Sequence, residues 1–122
     1  MTNLAAQQYK QNSVLTATPG EVTLQLYNGL VKFIKMAIAS AEQGEIQAVN
    51  TNLIKSQDIL RELLCTLNME YPVAKDMAAM YEYMLERLIK ANTTKEQAIM
   101  EEVLGYAEDF RNTWQQALKL MK

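Results

Sequence analysis

Hydrophobic positions recur in four stretches of the chain at alternating steps of three and four residues, the spacing of one face of an α-helix. The first line is Leu26, Leu30, Phe33, Ala37 and Ala41, widened by Tyr27, Val31, Ile34 and Ile38. The second is Ile46, Val49, Leu53, Ser56, Leu60, Leu63 and Leu67, with Ser56 its one polar member. The third is Val73, Met77, Met80, Met84, Leu88 and Ala91, and the fourth Ile99, Val103, Tyr106, Phe110, Thr113, Ala117 and Leu120. Start and stop residues separate them. Thr18 is placed to be an N-cap, Pro19 the first helical residue and Glu21 the partner in a capping box. Gly44 is a natural C-terminal stop. Pro72 ends the second stretch and biases Tyr71 toward extended backbone. Asn92-Thr93-Thr94 breaks the third from the fourth, with Thr94 and Gln97 suggesting a second capping box. The expected helices therefore cover about 19–43, 45–67, 73–92 and 95–121.

Short connections between helices of similar length favour antiparallel neighbours. The expected fold is all-α, an antiparallel four-helix bundle running up-down-up-down, with residues 1–122 as one domain. The first 17 residues stand apart from it. Thr2 to Lys10 can form a short helix, which Gln11-Asn12-Ser13 interrupts. Val14 and Leu15 then place apolar side chains outside the main helices, either as a cap folded onto the bundle or as a frayed tail.

Composition removes several function classes. The 122 residues are 49% hydrophobic and 21% charged, with only 4 Gly and 2 Pro, a globular and helix-favouring usage. The net charge is −2 and basic residues form no run, which argues against nucleic acid and anionic membrane as partners. No apolar stretch is long enough to span a bilayer, and the N-terminus lacks the layout of a secretory signal. A cytoplasmic location is expected. Histidine is absent, which excludes Ser-His-Asp and Cys-His chemistry, His-ligated metals and Glu-x-x-His di-iron sites. Cys65, among Leu63, Leu64 and Leu67, reads as a buried, inert thiol. Glu101-Glu102 and Glu108-Asp109 are adjacent on a helix, so they diverge and read as a solvated face. No catalytic residue, metal or cofactor is expected, and the protein does not read as an enzyme.

Apolar residues are present in surplus. Tyr81 and Leu85 flank the third line, Ile54, Ile59 and Leu64 the second, and Leu104, Trp114, Leu118 and Met121 the fourth. Wide stripes can simply fill the core of a small bundle, the reading favoured for Met77, Met80 and Met84. They can also form a groove for an amphipathic partner helix. Eight methionines suit such a surface, because the side chain adapts to irregular apolar partners.

Ordered motifs carry the reading further. Tyr9-Lys10-Gln11-Asn12-Ser13-Val14-Leu15-Thr16-Ala17-Thr18-Pro19 leads into Leu24-Gln25-Leu26-Tyr27-Asn28-Gly29. Farther on come Leu67-Asn68, Tyr71-Pro72, Tyr81-Glu82-Tyr83-Met84, Arg87-Leu88, Ala91-Asn92, Glu101-Glu102-Val103, Gly105 and Trp114. In this order they resemble the flagellin-specific export chaperone family, FliS, over nearly the whole chain. Asn28 stands where many members of that family have Asp, and Ala5-Ala6 where some have a larger apolar residue.

The resemblance implies a four-helix bundle with an N-terminal cap, working in flagellar type III secretion. It implies binding of the disordered C-terminal segment of flagellin, prevention of premature polymerisation and delivery to an export-gate component, with no nucleotide hydrolysed. Candidate partner-binding residues are Tyr9, Val14 and Leu15 in the cap, and Tyr27, Tyr81, Leu85 and Trp114 on the helices. Tyr27 and Trp114 stand equally as structural pins of helix ends. Uncovered apolar surface would also allow a weak homodimer. The rival readings are a structural or adaptor bundle that pairs with itself, and a chaperone for another secreted filament protein.

Overall fold

Residues 19–121 are described by the computed structural model. They form α1 (Pro19–Glu42), α2 (Ile46–Thr66), α3 (Pro72–Thr94) and α4 (Gln97–Leu120). Each helix packs on the next and α4 closes the ring against α1. The α1–α2 pairing is the most extensive and the α3–α4 pairing the thinnest. The all-α four-helix bundle expected from the hydrophobic spacing is the observed architecture.

Each turn has a local cause. Gly44 adopts φ 73°, and the Gly44 and Glu45 amides donate to the Ala41 and Ser40 carbonyls at 3.1 and 2.9 Å. This is a Schellman ending, which satisfies carbonyls that α1 would otherwise leave open. Leu67 turns extended after α2, and Tyr71 stays extended ahead of Pro72, which occupies the first turn of α3.

The turn between α3 and α4 differs from the expected capping box. Thr94 is the last residue of α3, and the N-cap of α4 is Glu96, which makes no side-chain cap bond. The reason is Lys95, which takes the left-handed conformation at φ 60° and donates its amide to Ala91 O at 2.7 Å. Its ammonium reaches back to Asn92 O at 2.6 Å, so a cation closes the carbonyl end of α3. Thr94 Oγ1 donates to Lys90 O at 3.0 Å and accepts the Glu96 amide at 3.2 Å, serving the helix end rather than the helix start.

Antiparallel register follows from these turns, because residues equally far from a turn meet. Around Gly44, Gly29 faces Ile59, and the Lys55 ammonium lies 5.2 Å from the Phe33 ring centroid. A Cβ on Gly29 would come within 3.1 Å of Ile59 Cδ1, so glycine lets α1 and α2 approach closely. Around Tyr71, Asn92 Nδ2 donates to Asn50 Oδ1 at 2.8 Å. Around the Thr94–Lys95 turn, Arg87 meets Glu102, Tyr83 meets Tyr106, and Met80 shares a cleft with Asp109.

The core is built from Tyr27, Leu30, Ile34 and Ala37 of α1, Val49, Leu53, Leu60 and Leu63 of α2, Met84, Leu88 and Ala91 of α3, and Met100 and Val103 of α4, among others. Ser56 is fully buried and donates to Asn52 O at 2.9 Å, so the one polar residue of the α2 line is satisfied within its own helix. Four sequence expectations change. Ile46 is exposed rather than part of the α2 seam. On α3 the core line is Ala74, Met77, Tyr81, Met84, Leu88 and Ala91, with Val73 exposed and Met80 half-buried. On α4 the line beyond Val103 is Ala107, then the half-buried Phe110, Trp114 and Leu118, leaving Thr113, Ala117 and Leu120 exposed. Cys65 is exposed, not buried. It sits two residues past Leu63, and two residues turn a helix by about 200°, so a core position at 63 points 65 outward.

Candidate functional site

Four aromatic rings gather where α1 begins, α2 ends, α3 begins and α4 ends. Tyr27 stacks on Phe110 with centroids 5.7 Å apart, and Trp114 meets Tyr27 edge-on at 6.1 Å. Tyr81 lies 5.3 Å from Phe110. The Tyr27 and Tyr81 hydroxyls hydrogen-bond to each other. Trp114 Nε1 donates to Gly20 O at 2.8 Å, fastening the last turns of α4 to the first turn of α1. Each such aromatic pair adds about 0.5–1.5 kcal/mol beyond its buried area. Burial raises the pKa of both tyrosines, because a phenolate has no solvent there.

Around this cluster the surface is apolar and indented. Between α1 and α4 a cleft of about 590 Å³ is lined by Pro19, Gly20, Leu24, Leu118 and Met121 with Glu21, Gln115 and Lys119. Between α3 and α4 a second, of about 280 Å³, is lined by Met80, Tyr106, Asp109, Phe110 and Thr113. A third, of about 230 Å³, lies under the α2–α3 connection and includes Leu67, Tyr71, Val73, Met77 and Trp114. The C-terminal half of α4 is thus flanked by apolar clefts on both sides. Ala117 and Leu120 follow Thr113 at four and seven residues, on the same helix face, and both are exposed. Met69, Tyr71 and Val73 are more than half exposed, Leu120 is 87% exposed and Met121 80%. Of the positions that the sequence assigned to core seams of α3 and α4, Val73, Met80, Thr113, Ala117 and Leu120 thereby form an outer, mainly apolar strip.

A polar clamp closes the strip toward the α3–α4 turn. Tyr83 Oη donates to Glu102 Oε2 at 2.7 Å, and Arg87 Nε donates to Glu102 Oε1 at 2.9 Å. Tyr83 also meets Tyr106 edge-on at 6.1 Å. The Tyr83 hydroxyl and the Arg87 guanidinium hold the Glu102 carboxyl below its usual range, and the carboxylate in turn raises Tyr83. Glu102 is therefore half-buried and bonded, whereas Glu101 next to it is exposed. Glu108 pairs with Lys35 of α1 at 3.6 Å. The expectation of a uniformly solvated acidic face fails at these two residues. The signal for both was helical register, which puts alternate acids of each pair against a neighbouring helix. Among the described residues no group of three His, Cys, Asp or Glu side chains converges to hold a metal.

The candidate partner-binding residues fall into three places. Tyr27 and Tyr81 have 0% and 1% exposure and form the inner floor of the aromatic cluster. Trp114 is half-buried and lines the third cleft, while Leu85 is half-buried against the core. Tyr9, Val14 and Leu15 lie outside the described residues, as does Thr18. Met80, Thr113, Val73 and Leu120 were read as core, so their place on the surface was missed.

A family profile described as flagellar protein FliS matches residues 1–121 of the chain. The chain belongs to the FliS family. It is 49% identical over 111 residues to the flagellar secretion chaperone FliS of Bacillus subtilis (strain 168), covering 91% of this chain and 84% of that protein. To the flagellar secretion chaperone FliS of Salmonella typhimurium it is 28% identical over 114 residues, covering 91% and 84%. A solved structure described as a flagellar chaperone from bacteria shares the fold, with a TM-score of 0.77 at 20% identity over 94% of this chain and 95% of that one. FliS membership agrees with the motifs from Tyr9 to Trp114.

Proposed function

We propose that this chain is a flagellar secretion chaperone that holds the C-terminal segment of flagellin as helix along its outer apolar strip. The observation that carries this is the strip itself. The core is already closed by other residues, yet Val73, Met80, Thr113, Ala117 and Leu120 continue outside it at helical spacing, beside three clefts. An amphipathic helix presents anchors at matching intervals. A client that folds on binding loses about 2–5 kcal/mol to ordering. Burying a large apolar side chain returns roughly 1.5–3 kcal/mol, so a few such contacts offset that loss.

Coverage of the segment would keep flagellin from polymerising before export, and the loaded complex would then meet an export-gate component. A cytoplasmic location belongs to this reading, because the client is held before export. No described helix is long and apolar enough to cross a membrane. Catalysis has no part in this reading. The cap residues Tyr9, Val14 and Leu15 are proposed to compete with the client for the same strip.

Titration calorimetry with the C-terminal segment of the same organism's flagellin tests the proposal. Saturable one-to-one binding with a large negative heat-capacity change is expected. A folded protein that ignores the segment at tens of micromolar (an order-of-magnitude ceiling for a useful chaperone) and sediments as a dimer would favour the self-pairing bundle instead.

A further inference from the structure

The α3–α4 hairpin treats two carboxylates on one face of α4 unequally. Glu102 faces Arg87 across the hairpin and is bonded by both Arg87 and Tyr83. Seven residues on, and thus on the same face of α4, stands Asp109. Its counterpart across the hairpin is Met80, and the two line one cleft with Tyr106, Phe110 and Thr113. Asp109 is the only charged residue of that lining. Neither an ion pair nor a hydrogen bond reaches its side chain among the described residues. Its helical neighbours at positions 105, 106, 112 and 113 are Gly, Tyr, Asn and Thr, so its own helix supplies no cation. Glu108 beside it points the other way and pairs with Lys35.

In the free protein water solvates this carboxylate. When an apolar anchor fills the cleft that water is displaced, and an unanswered charge beside the contact then opposes binding. A purely apolar client is disfavoured, and one that brings a cation is favoured.

We propose that Asp109 is a specificity residue that meets a lysine or arginine side chain of the bound segment, placed beside the apolar anchor that occupies the Met80–Phe110 cleft. The assignment rests on the reading of the strip as the client site. It separates two clients of equal hydrophobicity by whether a basic residue flanks the anchor.

The experiment is titration calorimetry of the flagellin C-terminal segment into the wild-type protein, Asp109→Asn and Asp109→Leu, at low and high salt. Circular dichroism confirms that each variant is folded, as expected for an exposed position. Asp109→Asn weakens binding about fivefold and flattens its salt dependence. Asp109→Leu weakens it too, although the substitution enlarges the apolar surface. A segment with every lysine and arginine replaced by glutamine binds the wild type about fivefold more weakly and no longer distinguishes Asp109→Asn from it. Tighter binding by Asp109→Leu, or equal binding by wild type and Asp109→Asn, overturns the assignment. Failure of the wild type to bind the unaltered segment would overturn the client reading beneath it.

Discussion

The hydroxyls of Tyr27 and Tyr81 bond to each other inside the core, tying α1 to α3, which stand diagonally across the bundle. Among the described residues neither hydroxyl has another hydrogen-bond partner, so each satisfies the other. Removing one hydroxyl strands the second in an apolar site, at about 1–3 kcal/mol, whereas removing both strands nothing. Tyr27→Phe and Tyr81→Phe should each lower the urea-unfolding free energy, and the double variant should lose no more than either single one. Additive losses would show that the two hydroxyls act independently.

The same pair sets an alkaline limit. Burial raises both tyrosines above their ordinary value of 10.0. A group whose folded value is raised gives its full stability below the unfolded value and loses it as pH climbs toward the folded one. Stability should therefore fall above about pH 10, where the unfolded chain can ionise and the fold cannot. The double phenylalanine variant should show a shallower fall in denaturation followed against pH.

Trp114 reports on the junction between α4 and α1. It is the only tryptophan and its indole donates to Gly20 O. Trp114→Phe keeps an aromatic ring against Tyr27 but loses that bond, at a cost of about 1 kcal/mol. The expected loosening is local, read as faster hydrogen exchange at the first turn of α1 with little change near Gly44.

The Glu102 clamp predicts an acid dependence of opposite sign. Its carboxyl is depressed below the ordinary 4.5, first by the Tyr83 hydroxyl and also by Arg87. A depressed acid stabilises the fold above its unfolded value and ceases to as pH falls through the folded one. Glu102→Gln should be less stable than wild type at neutral pH, and the gap should close below about pH 4. Thermal unfolding from pH 3 to 7 measures it.

Much of this was legible in the sequence. The four helices, Gly44 as a stop and Pro72 as a boundary followed from local chemistry that tertiary contacts did not override. The faces of α3 and α4 were harder. Val73-Met77-Met80 and Ala74-Met77-Tyr81 both run at helical spacing, and the larger Val73 outweighs Ala74 on hydrophobicity alone. Likewise Tyr106 and Thr113 give a line as regular as Ala107 and Trp114. A one-residue rotation of a helix by about 100° decides between them, and only the packed neighbours set it. That rotation also decides which apolar residues are core and which are strip. Lys95 was missed because a left-handed lysine carries no sequence signature where glycine or asparagine would.

The most direct test of the central claim is methionine-methyl NMR of the protein with and without the flagellin segment. Met80 lines the α3–α4 cleft, Met121 the α1–α4 cleft, and Met69 is exposed between α2 and α3. Met36 is exposed on α1, outside all three clefts, and serves as the internal control. The account predicts that the methyl signals of Met69, Met80 and Met121 shift on saturation while that of Met36 stays in place. Movement of Met36 with Met80 and Met121 unchanged would put the client away from the three clefts and contradict it.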